Sequence, residues 1–152
     1  MLFRSVERRG KFYEVTGAMR DMVPNHIFQL LAMTAMEPPI SFDADAVRAK
    51  QTEVLEAIRP FDEASVLKDV VRGQYGAGAV LGAAVQAYRH EPDVAYDSNT
   101  ETYFACKLMI DNWRWSGVPF YLRTGKHLTR RTTEIAVRFH QAPFTLFRGT
   151  DV

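Results

Sequence analysis

Cysteine is nearly absent: Cys106 is the only one in 152 residues. That excludes an intramolecular disulfide and a cysteine-based zinc site. A dominant charge is missing too, because nineteen Lys+Arg stand against eighteen Asp+Glu, a formal +1. No global field draws the chain to nucleic acid or to a membrane surface. No run reaches the ~18 apolar residues of a transmembrane helix. The nearest, around residues 27–36, is broken by Gln29 and Thr34 and ends at Glu37-Pro38-Pro39. The N-terminus carries charge where a signal peptide has an apolar stretch, and it lacks a small-residue cleavage site. A cytoplasmic location is therefore expected. Repeats and low-complexity tracts are missing, which leaves one ordinary domain by length.

Several chemistries are excluded by their motifs. The histidines at 26, 90, 127 and 140 have no metal-ligand spacing, so no metal is expected. The Gly125-Lys126 pair is not a P-loop, since Phe120 stands where glycine is needed and His127 where Ser or Thr is needed. Gly76-Ala77-Gly78-Ala79-Val80-Leu81 fails the dinucleotide fingerprint at its sixth position, Leu81, and reads as a Gly-rich turn. A nucleophile elbow is also missing.

What is present is a globular composition, 47% hydrophobic and 24% charged. A chain of this size buries roughly 68–70% of the surface that its unfolded form exposes. Residues 17–36 predict a helix, with Met19, Met22, Val23, Ile27, Leu30, Leu31 and Met33 near the 3.6 period. Pro24 inside that pattern predicts a kink or a helix start. A second helix is expected over 45–58, with Asp43 as N-cap, an apolar side of Val47, Thr52, Val54, Leu55 and Ile58, and Pro60 beyond its end.

The second half reads as strands at 69–75, 102–110 and 120–124, with a further one through Ile135, Val137 and Phe139. In the longest, Phe104, Cys106, Leu108 and Ile110 share one face. Trp113 and Trp115, two residues apart, suit stacking on one sheet face in a core or interface role. Helices followed by closely spaced strands predict an α+β fold, with N-terminal helices packed on a mostly antiparallel sheet. Residues 76–88 give no clear pattern. Cys106, on the core-like face, is expected to be inert.

His26 lies on the Met19, Met22, Leu30 and Met33 side of the first helix. A lone histidine on such a face commonly packs as a hydrogen-bonded core residue; it also suits a general base near neutral pH. Asp21 is five residues earlier, about 140° away on an ideal helix, so only a disturbance at Pro24 or a later helix start turns both to one site. Its commoner role is a helix-start charge. The densest basic stretch is Arg123-Thr124-Gly125-Lys126-His127-Leu128-Thr129-Arg130-Arg131. It reads either as a solvated turn between strands or as an anion or sugar-phosphate site built across a hairpin.

Long collinear stretches carry a resemblance. They are Glu7-Arg8-Arg9-Gly10-Lys11-Phe12-Tyr13-Glu14, Gly17-Ala18-Met19-Arg20-Asp21-Met22-Val23-Pro24-Asn25-His26 and Ala35-Met36-Glu37-Pro38-Pro39. Further on come Val70-Val71-Arg72-Gly73-Gln74-Tyr75, Asp111-Asn112-Trp113-Arg114-Trp115-Ser116-Gly117-Val118-Pro119-Phe120 and Tyr121-Leu122-Arg123-Thr124-Gly125-Lys126. Over nearly its whole length the sequence resembles the larger, C-terminal β+α domain of the glucose-6-phosphate dehydrogenase family. That family oxidises the C1 hydroxyl of glucose 6-phosphate to the lactone with NADP, in the pentose phosphate pathway. The resemblance implies His26 as general base and Asp21 as a carboxylate on the sugar hydroxyls. It implies Lys126 and Arg131 as substrate contacts.

Departures accompany it. Pro24 replaces the family's usual glutamine, and Arg8 and Lys11 replace glycines of a turn. Thr132 and Ala136 replace basic residues of a structural NADP site found in some members, so that site is not expected. The coenzyme domain is not in the sequence, nor is the family's Arg-Ile-Asp-His segment, which carries phosphate ligands and an aspartate that orients the histidine. Residues 1–152 therefore read as a partial domain, catalytically silent as an isolated chain, from an enzyme that forms a homo-oligomer through its sheet. The alternative is a truncated, non-catalytic remnant acting in subunit association. A third reading, a nucleic-acid module on the basic stretch, conflicts with the balanced charge.

Overall fold

Gly10 starts the first helix, well ahead of the expected start at 17. A Cβ at Gly10 would lie 2.1 Å from the Pro92 carbonyl oxygen, so only glycine lets the helix begin against that loop. The computed structural model describes residues 6, 9–130 and 132–141. Helix α1 spans Gly10–Met22 and is broken at Gly17, which takes φ 61° and ψ −178°. A π turn over Val23–Ile27 follows, and Phe28 donates its N–H to the Val23 carbonyl in the five-residue register of such turns. The predicted disturbance at Pro24 is this turn. Proline sits in its first positions, where a missing N–H costs little. Helix α2 covers Phe28–Ala35 and stops as Met36 turns extended ahead of the two prolines.

These two interruptions shift the phase of the helical face. The buried side is Tyr13, Ala18, Val23, Leu31, Ala32 and Ala35. Much of the expected stripe points outward: Met19, Leu30 and Met33 are 42%, 38% and 50% exposed. Counting at a single 3.6 period assumes an unbroken helix, and this one is broken twice. Helix α3, Ala44–Glu56, packs on α2 and buries Val54, while Thr52 and Leu55 stay exposed. Asp43 holds the N-cap position with extended backbone, but its carboxylate accepts from the Ser41 hydroxyl at 2.7 Å and makes no cap bond. A short α4, Glu63–Asp69, is not foreseen by the sequence reading. Asp62 and Ser65 close its start as a reciprocal capping box.

The sheet is β1 (Val70–Gly73), β4 (Tyr103–Met109) and β5 (Pro119–Gly125), in the order β1-β4-β5 and antiparallel throughout. Alternation along β4 turns Phe104, Cys106 and Leu108 inward, each at most 6% exposed, and Ile110 just beyond is fully buried. Burying Phe104, Leu108 and Ile110 contributes roughly 1.5–3 kcal/mol each. α1 lies over β4 and β5, and α4 over β1 and β4. The segment without a clear pattern forms a hairpin, β2 (Gly78–Val80) and β3 (Ala83–Val85). Its two-residue turn, Leu81-Gly82, has positive φ at both positions, as a primed turn requires. The α+β class and the antiparallel sheet are thus as the pattern predicts.

Three local expectations are corrected. Ile135, Val137 and Phe139 lie in irregular chain and are 54%, 58% and 85% exposed. Alternation supplies a face but not a ladder, and among the described residues no strand pairs with them. Among the described residues, the segment after Lys126 consequently makes no hairpin. Trp113 and Trp115 sit in a turn rather than on a sheet face. Trp113 is fully exposed, while Trp115 packs edge-on to Phe120 and donates Nε1–H to the Ala35 carbonyl at 2.8 Å.

Candidate functional site

The site residues foreseen in the sequence arise from two places in the fold. Asp21 lies in the last turn of α1, after the Gly17 break, and His26 lies in the π turn. In this turn, residues five apart replace residues four apart as vertical neighbours. The turn therefore changes the angle between Asp21 and His26 from the roughly 140° of an ideal helix. His26 is exposed, not packed in the core, because the face that carries it turns outward.

Lys126 follows the last residue of β5, and its backbone N–H is held by the Thr102 carbonyl at 2.8 Å. Its ammonium lies 5.2 Å from the centre of the Tyr13 ring. Burial pushes the Lys126 amine below the usual lysine range; the Asp21 carboxylate pulls it back up and the Arg9 guanidinium pushes it further down. The Asp21 carboxylate therefore acts on the Lys126 ammonium. The Tyr13 phenol is raised by burial first, then by Asp21 and Glu101. Its hydroxyl is buried and has no hydrogen-bond partner among the described residues. Arg131 lies outside the described residues.

Beneath this surface is an aromatic and carboxylate network. Tyr88 packs edge-on to Tyr13 and Tyr75, with ring centres 6.2 and 5.6 Å away. Its hydroxyl donates to Glu14 Oε1 at 2.6 Å, and the Ser98 hydroxyl donates to the same oxygen at 2.6 Å. Burial raises the Glu14 carboxyl, but the hydrogen bonds from Ser98, Tyr88 and Ala95 outweigh it and hold it below the usual range. Tyr75 donates to Glu91 Oε1 at 2.9 Å and meets the His127 ring at 4.4 Å. An open cleft of about 280 Å³ lies beside the Gly17 break, between Thr16 and Glu101. Asp21, His26 and Lys126 do not line it; His26 is exposed, while Asp21 and Lys126 are half-buried.

Arg9, Tyr13 and Glu101 join the site without having been singled out as site residues by the sequence. Arg9 and Tyr13 fall inside a stretch that carries the resemblance, but only the packing of α1 on β5 shows that they meet Lys126.

A family model for the glucose-6-phosphate dehydrogenase C-terminal domain matches residues 4–152. The glucose-6-phosphate 1-dehydrogenase of Bacillus subtilis is 50% identical over 146 residues, which is 96% of this chain and 30% of that protein. That of Borreliella burgdorferi is 44% identical over 147 residues, 97% of this chain and 31% of that protein. Among solved structures, glucose-6-phosphate 1-dehydrogenase from Mycobacterium avium aligns with a TM-score of 0.70 and 46% identity, covering 82% of this chain and 25% of that one. A glucose-6-phosphate dehydrogenase in complex with its substrate glucose 6-phosphate aligns with a TM-score of 0.70 at 38% identity, covering 80% and 24%. The chain thus spans under a third of the length of these relatives while nearly all of it is matched. On this match, and on its helices packed over an antiparallel sheet, the chain belongs to the glucose-6-phosphate dehydrogenase family and represents part of its C-terminal domain.

Proposed function

We propose that this chain is the substrate side of an enzyme that oxidises glucose 6-phosphate to 6-phosphogluconolactone in the cytoplasm. The observation that carries the reading is the half-buried Lys126 ammonium, held 5.2 Å from the centre of the Tyr13 ring, with the Asp21 carboxylate near enough to favour its charge. A hydroxyl-binding carboxylate beside a cation suits a sugar phosphate. In this reading Asp21 accepts hydrogen bonds from sugar hydroxyls, while Lys126 and Arg131 hold the anionic substrate. His26, in its neutral form, accepts the proton of the C1 hydroxyl as the C1–H bond is broken and the carbonyl of the lactone forms.

The residues present do not fit NADP. Gly76–Leu81 leads into the β2–β3 hairpin, so no helix N-terminus follows it to receive a pyrophosphate. The acceptor of the hydride, NADP in this family, is assigned to residues outside this sequence, as is the partner that orients His26. The 152-residue chain alone is therefore catalytically silent. A coupled NADPH assay on the purified chain is expected to give no rate above a His26→Ala control, and sustained reduction would overturn that. Glucose 6-phosphate titrated into the labelled chain is expected to shift the resonances of Asp21 and Lys126, with Lys126→Ala abolishing the effect. In a full-length enzyme, His26→Ala should lower kcat roughly 10²–10⁴-fold. Association of the complete protein through its sheet is also proposed. The face of the sheet opposite Phe104, Cys106 and Leu108 leaves Tyr121 75% and Val71 57% exposed, which equally favours the second reading, a subunit-association remnant.

A further inference from the structure

Residues 101 and 102 tie together the two halves of the candidate site. The break at Gly17 leaves the following amides without partners in the preceding turn. Glu101 supplies two of them. Its backbone carbonyl accepts the Ala18 N–H at 2.9 Å, and its Oε1 accepts the Met19 N–H at 3.1 Å. The other oxygen, Oε2, takes Arg72 Nη2 at 2.9 Å. The Glu101 side chain is 11% exposed against 58% for Arg72, so the carboxylate is enclosed and the guanidinium closes it from outside. A Cβ on Gly17 would lie 2.4 Å from Oε1, so the glycine makes room for this carboxylate. Thr102 is fully buried. Its N–H donates to the Gly73 carbonyl at 2.8 Å, its Oγ1 accepts from Tyr75 N–H at 2.9 Å, and its carbonyl accepts the Lys126 N–H at 2.8 Å. The helix end bearing Asp21 thus hangs from residue 101 and the backbone of Lys126 from residue 102.

We infer that Glu101 is a positioning residue for the substrate site. It fixes the segment carrying Asp21, and the π turn carrying His26, at a set distance from Lys126. This rests on the proposed substrate roles of those three residues. Glu101 itself faces helix amides and Arg72. As a surface ion pair with Arg72 alone it would contribute little; the bonds to Ala18 and Met19 are what give it reach into the site.

The test uses the whole isotope-labelled chain and two readouts, amide exchange at Met19 and titration with glucose 6-phosphate. Glu101→Ala is expected to speed Met19 exchange and to weaken sugar-phosphate binding, each about tenfold or more, as loss of a charged hydrogen bond implies. Glu101→Gln keeps a carbonyl oxygen for Met19 and is expected to restore both toward wild type. Glu101→Asp, with its charge intact but its reach shortened, keeps the fold and is expected to weaken binding. Val54→Ala, a core truncation in α3, should lower Tm without moving the affinity. Wild-type affinity in Glu101→Ala and Glu101→Asp would overturn the inference. If the unsubstituted chain fails to bind glucose 6-phosphate, the substrate reading falls by itself. Met19 exchange and the Asp21 and Lys126 resonances then decide the positioning: displaced in Glu101→Ala they uphold it, unchanged they overturn it.

Discussion

In its proposed role, Lys126 combines two demands that conflict. Half-burial beside Tyr13 disfavours its charge, while an anionic substrate needs that charge. Because its amine is held below the ordinary lysine range, binding of glucose 6-phosphate should weaken as pH rises through that lowered value, before an exposed lysine would respond. Lys126→Arg should move the decline to higher pH, checked by titration at a series of pH values. The linkage has the opposite sign for stability. At neutral pH the amine is charged and pays for its burial, so stability recovers as pH rises through the lowered pKa. Lys126→Met is accordingly expected to raise Tm while abolishing binding. Tyr13 offers a second case. Its buried hydroxyl has no hydrogen-bond partner among the described residues and carries a desolvation cost, so Tyr13→Phe should stabilise by about 1 kcal/mol in chemical denaturation.

At the scale of elements, legibility depended on whether the pattern was local. β4 was readable because strict alternation needs only its own residues, and the same residues turn inward in the fold. The helical segment was readable in kind but not in face. Gly17 and the π turn each shift its phase, and neither shift follows from apolar spacing. Ile135, Val137 and Phe139 show the converse, a strand-like pattern with no ladder partner among the described residues. For the site, Asp21, His26 and Lys126 stood inside recognisable stretches. Glu101 acts only through tertiary contact, far in sequence from Met19. The break itself is testable. Gly17→Ala adds a Cβ at positive φ against the Glu101 carboxylate, and should destabilise by about 2–3 kcal/mol in denaturant unfolding. It should also free the Met19 amide to exchange.

For the molecule as a whole, α1 and the buried cluster cover the Phe104, Cys106 and Leu108 face of the sheet. Among the described residues β1 and β5 are its outer strands, and edges without a partner strand favour association. Light scattering at rising concentration is expected to show self-association of the isolated chain; a monomer throughout would exclude it. Lysine at Tyr121 should suppress that association with little change in Tm, since this side chain is largely exposed. β4 then carries two kinds of information along one strand. At positions 104, 106 and 108 a polar substitution would be read as lost protein, because those side chains are the core. At 103, 105, 107 and 109, only half-buried, the same change would be read chiefly as altered assembly. A mutational scan across these seven residues should therefore beat with a period of two, alternating between abundance and quaternary phenotype.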